Sequence, residues 1–408
     1  MASDSDIEQL VESREQEDTR LQILMSQRRK RKLDSMIDEE ASAASSSVTR
    51  HRQDVSRQAL LADIWLKAAQ LHGTYAQQNV LEKAFVFLTM NSVINLTFDY
   101  PKLANINTEK FDDYKEENGF AQLKLRQLDA NVLETIKQHV LSEVRYANIE
   151  ANYVSFHHAG SLMIFEYQKE SINSWRTLSE NDIFRLFSSP IFEIIFEHSV
   201  VKLRSGETTN VGSAEVRAVQ AKAAGVRPRG AFKVDLRLVL LNDKIEYDLA
   251  NCEFAKSGDI QRKVLTDNAK VVVEAKCIMD FLVLNGRLNH EEAKKIQVVN
   301  LQACGLKMQL VALKLDQDGN GYVAQPIGSI IKLPTTMDTI PTFFQVGLPL
   351  LQYMKDVAEK NAMVLQDAFN RDSSSVDSQR SPHPTGFIKK TWLGPYSPET
   401  NSIPPIPY

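Results

Sequence analysis

From Lys233 to Leu241 apolar and polar positions alternate, with Val234, Leu236, Leu238 and Leu240 on one face and Lys233, Asp235, Arg237 and Val239 on the other. A period of two predicts a strand with one buried face. Asn242-Asp243 predicts a turn, and a second strand over Glu246–Ala255 places Leu249, Asn251 and Glu253 on one face and Ala250, Cys252 and Phe254 on the other. The period then lengthens to that of a helix from Asp259 to Leu284, with Asn285-Gly286 as its C-terminal cap. Val298–Ala303, Met308–Leu315 and Tyr322–Ile331 read as further strands, and Pro349–Phe369 as an amphipathic helix that starts on a favoured first-turn proline. Upstream the pattern is helical: Leu60, Ile64, Ala68 and Leu71 recur at helical spacing, as do Val80, Ala84, Phe87 and Met90, and later Leu133, Ile136, Val140 and Val144. Asp182–Phe187 leads through Pro190 into the apolar run Ile191–Phe196.

These patterns divide the chain into four parts: a disordered basic arm (1–60), a helical region (61–199), an α/β core with a C-terminal helix (200–370) and a disordered Ser/Pro-rich tail (371–408). The expected class is α+β, a helical N-terminal layer followed by a core built on a mixed sheet. The arm is dominated by Ser, Glu, Asp, Arg and Gln, which bury too little apolar surface to offset the entropy of ordering. Ser381-Pro382, Ser397-Pro398 and Pro404-Pro405-Ile406-Pro407 point to an extended, solvated tail; Pro404 and Pro407 also form a PxxP pair that an SH3-type groove could read, the route by which protein partners would engage it.

With 408 residues, 43% hydrophobic and 25% charged, the chain has average globular composition, and a net charge of -4 restricts any nucleic-acid contact to local patches. One such patch is Arg28, Arg29, Lys30, Arg31 and Lys32. Five adjacent cations suit an acidic import-receptor groove or a phosphate backbone, which points to a nuclear protein. Cys252, Cys277 and Cys304 sit in apolar runs without CxxC spacing, as core residues in a reducing compartment. The first residues lack the apolar stretch of a secretory signal, and no membrane-spanning run occurs.

Several motifs are excluded by their own geometry. Asp316-Gln317-Asp318-Gly319-Asn320-Gly321 copies the opening of a calcium loop, but its twelfth position is Ile327 after Pro326, so a hairpin turn is expected. His157 and His158 are adjacent and point apart on a regular element, which favours a structural or surface role. Neither GxGxxG nor GxxxxGK[ST] occurs, nor GxSxG or HExxH.

Candidate chemistry lies on the two adjacent strands. Asp235 on the first and Glu253 on the second can bring a carboxylate each to a shared edge, where they would hold Mg2+ against a phosphodiester. A nearby lysine would orient the attacking water or neutralise charge in the transition state. The arrangement resembles the PD-(D/E)XK nuclease core, in which an acid on one strand is followed by E-x-K on the next. The resemblance implies Asp235 as first acid, Glu253 as second, Lys256 as the catalytic lysine, and Glu207 of Ser205-Gly206-Glu207 as a helix-borne third metal ligand. Glu253 and Lys256 are separated by two residues, so Ala255 holds the family's lysine position. A bulge, or a lysine from the following helix (Lys263 or Lys270), restores the pattern. Leu203–Thr208, Gly230–Arg237 and Asn251–Lys256, in that order and spacing, also resemble a group of uncharacterised proteins of mucoralean fungi, over roughly Phe184 to Phe369. The reading is a nuclear, Mg2+-dependent nuclease-like protein acting on DNA, or a catalytically degenerate descendant. Its alternative is a non-catalytic interaction or scaffold protein in which the helical layer and the Pro-rich tail bind partners, with Asp235 and Glu253 as strand-edge carboxylates facing Arg237 or Lys233.

Overall fold

The computed structural model describes residues 57–120, 134, 178–223, 225, 231–256, 260–319, 321–334, 339–374, 387–389, 391 and 393. The chain divides into two units, Met1–Ala62 and Asp63–Tyr408; of the first, residues 57–62 are described and are helical. The basic run Arg28–Lys32, the His157-His158 pair and the terminal Pro-rich residues lie outside the described residues.

The second unit is α+β, built on a mixed sheet. Its elements in chain order are α1 (Val80–Met90), β1 (Val93–Asn95), α2 (Tyr100–Ala104), α3 (Thr108–Asn118), α4 (Glu180–Ile183), α5 (Ser189–Phe196), β2 (Lys202–Thr209), α6 (Val211–Ala223), β3 (Lys233–Asn242), β4 (Ile245–Ala255), α7 (Ile260–Asn285), α8 (His290–Ala293), β5 (Gln297–Cys304), β6 (Lys307–Leu315), β7 (Tyr322–Lys332), α9 (Ile340–Thr342) and α10 (Leu348–Ser374). Among the described residues seven strands form one sheet, in the order β1-β7-β6-β5-β4-β3-β2. Two pairings, β1 with β7 and β4 with β5, are parallel. The rest are antiparallel.

Parallel neighbours need a crossover, and α7 supplies it between β4 and β5. Residues 271–283 are all buried, so most of its circumference is packed. Strand parity separates the two helical layers. Asn300 of β5 donates to the Val271 carbonyl of α7 at 3.0 Å, whereas Gln297, an odd number of residues away, meets Tyr353 and Asn361 of α10. The two longest helices therefore cover opposite faces, and the strands between them are buried on both sides.

Two local features follow from proline. Phe184–Ser188 and Phe343–Gly347 are single π turns, each running into a helix that carries a proline in its first turn, Pro190 and Pro349. A proline has no N–H to give and its ring crowds the carbonyl four residues back, so a widened turn accommodates it. Gly212 lets α6 approach α7: a Cβ there would stand 2.4 Å from the Cys277 carbonyl oxygen.

The hairpin expected at Asp316 is present, with Gly319 N–H donating to the Asp316 carbonyl at 3.2 Å. Two expectations change. The upstream region is not purely helical, because Val93–Asn95 forms edge strand β1 against Tyr322–Ala324. The C-terminal helix continues to Ser374, and Leu393 is buried, so at these positions the chain is held where composition pointed to a solvated tail. Among the described residues no helix is long and apolar enough to cross a membrane.

Candidate active site

β2, β3 and β4 pair antiparallel side by side, with α6 between β2 and β3 in the chain, and their register places the acids. Leu236 pairs with Cys252, so the next pair toward the start of β3 sets Asp235 opposite Glu253, on the same face. The Asp235 carboxylate accepts the Phe254 N–H at 2.8 Å, which fixes it at the end of the ladder. Burial and the negative charges of Asp235 and Glu253 push the Cys252 thiol well above its ordinary range. Both carboxylates thus act on one buried point of β4, and that thiol stays neutral.

Glu207 was expected on a helix; it lies on strand β2 instead. Ser205 pairs with Leu236 and Thr208 with Val234, so Gly206 and Glu207 together stand against Asp235 in a bulge. Gly206 has φ +100°, a conformation that suits a residue without Cβ. The backbone therefore sets positions 207, 235 and 253 side by side across three strands, while the Glu207 side chain is outside the described residues.

The lysine is where the structure departs most from the pattern. Lys256 follows the end of β4, is exposed, and its backbone N–H donates to Glu180 at 3.0 Å. The ammonium group that meets the second acid belongs to Lys270 of α7: its Nζ is 2.8 Å from Glu253 Oε1, 3.4 Å from Glu274 Oε1 and 3.3 Å from the Lys233 carbonyl. The physical reason is the crossover. α7 lies over the face that carries Asn251 and Glu253, so a helical lysine reaches this carboxylate, whereas residue 256 lies beyond the strand's last pleat. The side chain of Lys263, the other helical candidate, is outside the described residues.

Glu274, one turn after Lys270, is fully buried beside Asn251. Burial, and then the charge of Glu253, pushes its carboxyl well above the usual carboxylate range against the opposing pull of Lys270. Lys270 itself is raised: burial lowers it, but Glu274 and Glu253 together outweigh that. An acid whose folded-state pKa is raised holds an extra proton in the folded state, so its contribution is fully present below about pH 4.3 and is lost as pH rises toward the folded value. Glu274→Gln removes this loss. The melting temperature of the variant should gain on that of the wild type from pH 4 to pH 7; a pH-independent difference would contradict the assignment.

The donor set is hard oxygen with one ammonium group, suited to Mg2+ or Mn2+. Among the described residues no group of three or more His, Cys, Asp or Glu is arranged to hold a metal ion; the register sets two carboxylates, Asp235 and Glu253, opposite one another. That number is compatible with Mg2+, which commonly takes one or two carboxylates and completes its shell with water and substrate phosphate. Comparison with protein-family models, with curated proteins and with solved structures finds no match.

Proposed function

We propose that the chain carries a PD-(D/E)XK-like core performing metal-dependent hydrolysis of DNA phosphodiesters, with Lys270 as the lysine of the site. The observation that carries this reading is the approach of Lys270 Nζ to 2.8 Å from Glu253, which lies opposite Asp235. The register that sets Asp235 opposite Glu253, and the crossover helix α7 that carries Lys270 over that face, support it.

Asp235 and Glu253 would hold the Mg2+. The metal would polarise the phosphodiester and lower the pKa of a bound water. The protein's own contribution is positional. The Phe254 N–H orients Asp235, and Lys270, anchored by Glu274 from the same helix, presents an ammonium group to the nucleophile or to the developing negative charge. Arg28 through Lys32 add non-specific phosphate affinity and an import signal in the same reading; a tagged chain with alanine at these five positions should move to the cytoplasm, and unchanged nuclear retention would remove that part.

The test of the activity is nicking of supercoiled plasmid with Mg2+ or Mn2+. Wild type should nick, and Asp235→Asn and Glu253→Gln should not. Equal nicking by all three would assign the activity elsewhere.

A further inference from the structure

A second polar cluster lies further along α7. Lys276 is fully buried, and its ammonium group spends its three donors on Asp280 at 2.5 Å, on Thr391 Oγ1 at 2.6 Å and on the Lys389 carbonyl at 2.7 Å. Asp280 is also bonded by the Tyr322 hydroxyl of β7 and by the Thr391 hydroxyl at 3.1 Å. Two more side chains from α6 address the same stretch. Gln220 donates to the Thr391 carbonyl at 2.6 Å, and Arg217 donates to the Leu393 carbonyl at 2.7 Å.

The three accepting carbonyls belong to residues 389, 391 and 393. Alternate carbonyls of an extended chain point to one side, so a row of donors spaced to meet every second one is a reader of extended backbone. Selectivity comes from two side chains: the Thr391 hydroxyl bridges Lys276 and Asp280, and Leu393 is buried at 5% exposure. Two of the three donors of a fully buried ammonium group have partners only while this segment is in place, and leaving such donors unmet is costly. The groove between α6, α7 and the start of β7 is thus built around its occupant, to which Ser374 at the end of α10 is joined through residues 375–386.

We infer that this groove is a peptide-binding site which the chain's own Lys389, Thr391 and Leu393 occupy in cis, and that it accepts in trans an extended peptide with a threonine followed two residues later by leucine. This inference does not rest on the nuclease reading, since none of its residues belongs to the Asp235–Glu253–Lys270 site. The tether gives the cis segment an effective concentration on the order of millimolar, so a free peptide competes poorly until the tether is cut.

The experiment uses the full chain with a protease recognition sequence inserted between Ser381 and Pro382, and a fluorescein-labelled peptide of the sequence of residues 386–394. After cutting, the labelled peptide should exchange into the groove, with binding to the uncut chain at least about a hundredfold weaker. Lys276→Met in the cut chain should abolish uptake; Arg217→Ala, which buries no unpaired charge, should weaken it with the circular dichroism spectrum unchanged. Three outcomes overturn the inference: the cut chain retains its own segment and takes up no label, the cut chain unfolds, or cut and uncut chains bind the label equally. The first two would make the segment an integral part of the core, and the third would place the label elsewhere.

Discussion

Lys270→Met is expected to lower plasmid nicking by on the order of a hundredfold to a thousandfold, the scale seen when one pre-organised electrostatic group is removed from an active site. Lys256→Ala should leave the rate within a few fold of wild type. The contrast follows from geometry: Lys270 Nζ lies 2.8 Å from Glu253, while Lys256 is exposed beyond the end of β4. Methionine keeps most of the length and apolar bulk of the lysine stem, so the packing of α7 on the sheet is largely conserved. The fold itself serves as a control, because removing Lys270 takes an ammonium group away from Glu253, at 17% side-chain exposure, and from the buried Glu274. Melting of the Lys270→Met protein should therefore be compared with the wild type at the assay temperature. Nicking that survives in Lys270→Met and is lost in Lys256→Ala would reverse the assignment.

Arg237→Met is expected to cost about 3–5 kcal/mol of stability, the scale of breaking one side of a buried ion pair. Arg237 Nε lies 2.5 Å from Asp248 Oδ1 and its Nη1 lies 3.2 Å from Glu246 Oε2, with the Arg237 side chain 7% and the Asp248 side chain 1% exposed. Asp248 is also bonded by the Asn210 amide at 3.0 Å and the Val211 N–H at 2.9 Å, so it ties the start of α6 to the sheet. With arginine gone, that carboxylate is left as a buried charge without its counter-ion. Adding Asp248→Asn should recover much of the loss, since asparagine removes the charge and keeps an oxygen for Val211. Urea midpoints of the two variants and wild type decide it; a single-variant loss below about 1 kcal/mol, the scale of exposed pairs, would contradict the burial argument.

The elements with long, regular patterning were readable from the residues alone. Alternation located β3 and β4, and the long period located α7, observed at Ile260–Asn285 against an expected Asp259–Leu284. β5, β6, β7 and α10 were found for the same reason. β2 was not, because Lys202-Leu-Arg-Ser-Gly-Glu-Thr-Thr is an edge strand with little apolar content and a bulge, and such a strand gets its order from its neighbour. β1 is three residues long, too short for any period to register. The pairing of Asp235 with Glu253 could be read because their strands were readable. The sequence pattern names Lys256 as the lysine, with Lys263 or Lys270 from the helix as alternatives, because which helical position reaches Glu253 depends on how α7 packs across the sheet. The docked segment near Leu393 gave no signal either: its recognition is mainly through backbone carbonyls, which every residue has.

The central claim is that Asp235 and Glu253 form one divalent-metal site, and a thermal melt with Mn2+ tests it most directly. Like charges brought together on facing strands disfavour the ionised pair, and a bound cation relieves that. Binding to the folded state alone stabilises by mass action, reaching about 2.7 kcal/mol at a hundredfold excess over the dissociation constant. The melting temperature of the wild type should rise with Mn2+ along that curve, and that of Asp235→Asn should not move. No Mn2+-dependent rise in the wild type, or the same rise in Asp235→Asn, would contradict it.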